Sequence, residues 1–172
     1  MPDPRAAQVE TVVIDGRFAG LPGIAHGGFT AGLLAELSTE RALEARFSLP
    51  SPLDTTLQVQ RRERRLSLRD GENAVVEVRP TNIEAEPPFI PSLAAATAAS
   101  KTNATEVERP SPTCLVCGPE RAEGDGLRIF VGPLGDDVPR GVVAGVWSPH
   151  PDLATADGQI RSRYIWAALD CP

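Results

Sequence analysis

Lysine is almost missing from this sequence. Of 17 basic residues only Lys101 is a lysine, so a Schiff-base or lysine-nucleophile mechanism has no obvious residue. Cysteine is scarce and odd in number: Cys114, Cys117 and Cys171 make no disulfide framework. There is no excess of positive charge. The formal net charge is −6, which argues against a general binder of phosphate backbones. No Gly-x-Ser-x-Gly elbow, Walker A loop or Gly-x-Gly-x-x-Gly turn occurs, which argues against an α/β-hydrolase, a P-loop NTPase and a dinucleotide-binding unit. The longest uncharged run, Phe18 to Ala35, contains Pro22, His26 and glycines 20, 23, 27, 28 and 32. Its first half is therefore no clean membrane helix. The N-terminal Met1-Pro2-Asp3-Pro4-Arg5 lacks a charged-then-apolar leader pattern. A soluble, cytoplasmic chain is expected.

What remains is ordinary globular composition. Over 172 residues, 41% are hydrophobic and 23% charged, enough for one large domain or one domain and part of a second. Gln8 to Asp15 is short and β-branched and reads as a strand. Gly28 to about Leu43 reads as a helix. Phe29, Ala31, Leu33, Leu34, Ala35 and Leu37 make it apolar nearly all round, the mark of a helix buried on every side. The period then changes to two. Ala45–Leu49, Thr56–Gln60, Leu66–Leu68 and Ala74–Arg79 read as strands, with Pro50-Ser51-Pro52 a break and Asp70-Gly71-Glu72-Asn73 a hairpin turn. A sheet curled around one central helix explains the helix's composition. This is α+β, not a βαβ repeat.

Further on, Ser92–Lys101 reads as a short helix and 103–112 as a linker. Gly126–Val131 and Gly141–Trp147 read as strands. Tyr164–Asp170 reads as the first turns of an apolar helix that needs a cover, from more chain or from a partner. The expected division is 1–102, a linker 103–112, and 113–172.

Gly23-Ile24-Ala25-His26-Gly27-Gly28 before a buried helix and a meander resembles the hotdog fold of acyl-CoA thioesterases. Phe47-Ser48-Leu49-Pro50-Ser51-Pro52-Leu53 is similar to that family's post-helix strand and Pro-x-Pro corner. Cys114-Leu115-Val116-Cys117-Gly118-Pro119 with Gly126-Leu127 is similar to a Cys-x-x-Cys-Gly opening in some thioesterase-like proteins. Trp166–Asp170 is similar to the start of the second central helix in tandem hotdog proteins. The resemblance thus implies a hotdog fold with a nearly complete first unit and a partial second hotdog unit.

The candidate site residues follow. Gly27 and Gly28 let backbone N–H groups approach a ligand at a helix N-terminus, where they can hold a developing oxyanion. His26 then orients substrate or water; the other reading is a hydrogen-bonded turn residue beside tightly packed glycines. Phe29 is a candidate for the acyl pocket. The resemblance also implies a carboxylate nine residues after the His. That position is Ala35, and the acid is Glu36, about 100° further round the helix. In double-hotdog thioesterases the acid lies early on the second helix, a place matched here by Asp170.

Arg62 and Arg64, in the run Arg61–Arg65, are candidates for coenzyme A phosphates or simply a charged edge strand. Cys114 and Cys117 read as structural or free thiols: a closed zinc site needs four ligands, and Cys171, His150 and His26 lack paired spacing. No metal and no cofactor is expected. The resemblance implies hydrolysis of an acyl-CoA thioester, by a homodimer with an acyl-CoA or acyl-chain ligand, no nucleic acid and no membrane span. The alternative is a non-catalytic acyl-binding or structural hotdog protein. A hydratase of this fold lacks its Asp-x-x-x-x-His pattern here.

Overall fold

A computed structural model describes residues 10–84, 89–106, 111–135 and 141–171. The expected strand start at Gln8 and residues 107–110 of the expected linker lie outside them. The chain is α+β. Five antiparallel strands form an open sheet: β1 (Glu10–Val13), β2 (Leu43–Phe47), β3 (Thr56–Arg62), β4 (Arg65–Asp70) and β5 (Asn73–Pro80). Their spatial order is β1-β3-β4-β5-β2. The two hairpins arise from local chemistry. Gly71 supplies a left-handed turn residue, φ +56°, between β4 and β5. Glu63 takes φ +52° between β3 and β4.

Alternation puts Leu57 and Val59 of β3, and Leu66 and Leu68 of β4, on the buried face. In β5 it breaks: Val75 and Val76 are both buried. The register shifts opposite Leu68/Arg69, so Val75 is an extra residue in the ladder. Its carbonyl accepts from the N–H groups of Ser48 and Leu49. The bulge thereby fixes the segment leaving β2.

Helix α1 (Gly27–Glu36) lies on this face, and Gly28 to Leu34 are buried without interruption. It is shorter than the expected 28–43. The chain must leave the helix to bring Leu43–Phe47 alongside β5. Ser38 and Thr39 make the exit, and the Ser38 hydroxyl accepts from the Glu40 N–H.

Helix α3 (Ser162–Asp170) covers the other side of α1 and runs antiparallel to it. A Cβ on Gly28 would overlap the Trp166 carbonyl, and one on Gly32 would overlap the Arg163 backbone. Spaced by four, these glycines form one face on which α3 rests. The cover that α3 was expected to need is thus α1, with Ala167 fully buried between them. Ile165 and Leu169 face outward. Phe29 stacks on Phe18 at 4.1 Å and tilts against Tyr164 at 5.8 Å.

Helix α2 (Leu93–Glu106) starts on the Ser92 hydroxyl, which accepts from the Ala95 N–H. It extends past the expected Lys101. The expected strand 141–147 shrinks to β7 (Val143–Ala144), whose partner β6 (Gly132–Pro133) lies just beyond the expected strand 126–131, which does not form. Arg128 takes φ +53°, which interrupts the expected strand 126–131. The Leu127 and Ile129 N–H groups donate instead to the carbonyls of Leu115 and Val116. Cys114, Leu115, Val116, Leu127 and Ile129 join Leu34, Leu57, Leu68 and Val76 in one apolar core. No described helix is long and apolar enough to cross a membrane.

Candidate functional site

The N-terminal end of α1 opens into a cavity of about 680 Å³. Its walls come from the loop before α1 (Gly20, Leu21, Ile24, Ala25), from residues 47–51 after β2, from Cys114 and Cys117, and from the end of α3. Local folding brings these segments together. The Ala25 N–H donates to the Ser51 carbonyl, and the His26 N–H to that of Phe18. Leu115 donates to the Ala19 carbonyl at 2.8 Å. Most of the wall is apolar. Its polar groups gather at the helix end.

His26 is the N-cap of α1 and is buried. Its Nδ1 accepts from the Phe29 N–H at 3.4 Å, satisfying one orphan amide of the first turn. The Asp170 carboxylate satisfies another: Oδ2 accepts from the Gly28 N–H at 2.8 Å. The same oxygen is 3.8 Å from His26 Nδ1. A carboxylate at a helix N-terminus is favoured by the dipole and the free amides. Asp170 remains half-exposed toward the cavity. The Gly27 N–H, also on the wall, has no acceptor among the described residues. Ser51 Oγ is buried in that wall and is likewise unpaired among them.

Glu36 is at the opposite end of α1, roughly 14 Å along the axis by helical rise. It is half-buried and gripped by Arg163 at the start of α3. Oε1 accepts from the Arg163 N–H and Nε, both at 3.0 Å, and Oε2 from Nε at 2.9 Å and from Nη2. Burial pushes its pKa up. The hydrogen bonds and charge of Arg163, with the charge of Arg161, outweigh burial and hold the carboxyl below its ordinary value. Glu36 does not line the cavity.

Phe29 does not line it either; stacked on Phe18 and tilted against Tyr164, it is core. Arg62 and Arg64 lie at the exposed β3–β4 hairpin. Arg64 pairs with Glu40 through two hydrogen bonds of 2.7 and 2.6 Å, and Arg61 donates to the Leu37 carbonyl. Of the eight sequence candidates, the structure gathers His26, Gly27, Gly28 and Asp170. It leaves Glu36, Phe29, Arg62 and Arg64 elsewhere.

From sequence the cysteines read as structural or free thiols, because Cys171 and His26 lack paired spacing with Cys114 and Cys117. All three meet beside His26. The Cys171 and Cys117 sulfurs are 3.2 Å apart. Ligand atoms of His26, Cys114 and Cys171 lie within 4.8 Å of one another. Hydrogen bonds with the Cys117 and Cys171 thiols, aided by His26, hold the Cys114 thiol far below its ordinary pKa against its burial. The same contacts, with burial, push Cys171 up. The signal was the Cys-x-x-Cys-Gly spacing, whose further donors lie 54 residues later and 88 residues earlier. His150 is elsewhere, beside Asp152.

No family model, curated protein or solved structure matches the chain.

Proposed function

We propose that this chain is a hotdog-like acyl thioesterase whose site is the cavity at the N-terminus of α1. The observation that carries the reading is the pairing there of the Asp170 carboxylate and the open Gly27 N–H, at the mouth of an apolar cavity. The strand order around a buried helix supports the fold half of the proposal, and the partial second unit stays within it as the segment that delivers Asp170.

The chemistry follows from the geometry. Leu21, Ile24, Phe47 and Leu49 receive the acyl group. The thioester oxygen accepts from the Gly27 N–H, where the helix dipole favours developing negative charge. Asp170 takes a proton from water as the water oxygen attacks the carbonyl carbon. The carbon–sulfur bond then breaks, and the proton passes to the departing thiolate, giving acid and thiol. Glu36 has no part, because Arg163 occupies both its oxygens. Arg62 and Arg64 have none either. His26 acts by capping the helix.

The test is chromatographic measurement of coenzyme A released from short, medium, long and aromatic acyl-CoA esters by the purified chain. Turnover above the buffer rate that is lost in Asp170→Asn and kept in Glu36→Gln supports the proposal. Turnover that survives Asp170→Asn removes Asp170 from the mechanism; absence of turnover on every ester leaves a binding cavity without hydrolysis. The homodimer belongs to the same reading, and a monomer by light scattering at assay concentration would remove it.

A further inference from the structure

We propose that Cys114, Cys117, Cys171 and His26 bind one zinc ion as a closed structural site. This inference does not rest on the hydrolytic reading. Ligand atoms of His26, Cys114 and Cys171 lie within 4.8 Å of one another, and Cys117 joins them through its sulfur, 3.2 Å from that of Cys171, so that three separate segments supply the donors. Cys114 and His26 are buried, and Cys117 and Cys171 half-buried. Two soft sulfurs on a short Cys-x-x-Cys turn, a third sulfur and an imidazole form a Cys₃His donor set, which suits tetrahedral zinc.

The donor separations lie on either side of the tetrahedral value, and small side-chain shifts would bring them to it. Zinc–sulfur bonds of about 2.3 Å at a tetrahedral angle put sulfurs about 3.8 Å apart. The cluster spans 3.2 Å between Cys117 and Cys171 and stays within 4.8 Å across His26, Cys114 and Cys171. A disulfide needs about 2.05 Å.

The turn is built as a metal knuckle. The Gly118 N–H donates to the Cys114 carbonyl at 3.0 Å, and a Cβ on Gly118 would come 2.5 Å from that oxygen and 2.6 Å from the Cys114 nitrogen. Only glycine fits this tight return. Leu115 and Val116, between the cysteines, are buried in the core and anchored by the 127–129 segment. Both sulfurs are thereby held on one side.

The charge is placed well. Three thiolates, a neutral imidazole and Zn²⁺ sum to −1, at the N-terminus of α1 where negative charge is favoured. His26 Nδ1 is turned to Phe29 and Asp170, leaving Nε2 for the ion. Ligation by Nε2 moves the ring proton to Nδ1. That proton then faces the Asp170 carboxylate 3.8 Å away, in place of the Phe29 N–H. The ion would tie the helix start, the knuckle and the end of α3 together, and so hold Asp170 against Gly28.

The experiment uses the whole purified chain, reduced and stripped of metal by a chelator. Zinc alone is titrated in, with elemental analysis of the product and proton release read in weak buffer. The expected result is one zinc per chain with release of the thiol protons, and cobalt(II) in its place gives intense thiolate charge-transfer and tetrahedral ligand-field absorption. Cys114→Ser, Cys117→Ser, Cys171→Ser and His26→Ala each lose stoichiometric zinc, whereas His150→Ala keeps it. Because some of these variants can fail to fold, the cobalt spectrum of the unaltered chain decides independently. A reduced chain that takes up no zinc overturns the proposal. So does a cobalt complex without thiolate charge transfer, or a Cys117–Cys171 disulfide that forms with zinc in excess.

Discussion

Helices α1 and α3 lie antiparallel, and each end of the pair carries one carboxylate that crosses between them. At one end Glu36 of α1 reaches back to the start of α3, where the Arg163 backbone and guanidinium take both its oxygens. At the other, Asp170 of α3 reaches the start of α1, where it meets a backbone amide and an open cavity. The two acids are alike in chemistry and opposite in circumstance. A carboxylate neutralised by a bidentate guanidinium has its lone pairs engaged and is held ionised. One that accepts from a single amide and faces a cavity keeps an oxygen for water. On the proposed function, the difference gives Glu36 a structural role and Asp170 the chemistry, although Glu36 sits closer in sequence to the His-Gly-Gly turn.

The sharpest way to break that contrast is to neutralise each acid in turn. Asp170→Asn keeps an oxygen for the Gly28 N–H and removes the base. Turnover of acyl-CoA is expected to fall by about 10²–10⁴-fold with the melting temperature nearly unchanged. Comparable loss in Glu36→Gln would dissolve the distinction. Next in size is the contact between the helices. Gly32→Val must drive the Arg163 backbone away, at a cost of about 3 kcal/mol, read as a fall in the denaturant midpoint. An unshifted midpoint would mean that α3 does not rest on this face.

Glu36→Gln is expected to cost about 1–2 kcal/mol at neutral pH. The folded Glu36 carboxyl lies below its ordinary value of 4.5, so its contribution is complete above that pH and is lost as pH falls through the lowered value. The stability gap between the native chain and the variant should therefore close in acid; a gap that persists below the folded value contradicts the ion pair. The smallest effect belongs to the exposed hairpin. Arg64→Ala is expected to leave the denaturant midpoint nearly unchanged, because the ion pair is screened by solvent, and to leave KM unchanged, whereas a raised KM for acyl-CoA would return the arginines to the site.

The sheet was legible because its signals are local. Period-two runs and the Asp70–Asn73 turn located β3, β4 and β5 with ends within two residues, though β4 is twice the expected length, and the all-round apolar character of α1 announced a helix covered on both sides. The end of α1 was not legible, since residues 37–43 include good helix formers and only the pairing of Leu43–Phe47 with β5 pulls them out. The later strands failed for a related reason. Residues 126–131 have strand composition, but Arg128 adopts a left-handed conformation and the neighbouring amides serve the Cys114–Cys117 turn. Within the site, His26, Gly27 and Gly28 were visible as a motif. Asp170 was reached through family resemblance alone, and the cysteine cluster through neither route. Contacts between residues 26, 114 and 171 are set by how α3 packs on two glycines, and no local spacing records that.

The central claim is that ligand meets the N-terminal end of α1, and amide chemical shifts test it most directly. A non-hydrolysable acyl-CoA thioether would be titrated into uniformly ¹⁵N-labelled chain while the amides along α1 and α3 are followed. The account predicts the largest shifts at Gly27, Gly28 and Asp170, with Glu36 and Arg163 unmoved. Shifts centred on Glu36 and Arg163, or on the Arg61–Arg65 hairpin, with Gly27 silent, would contradict it.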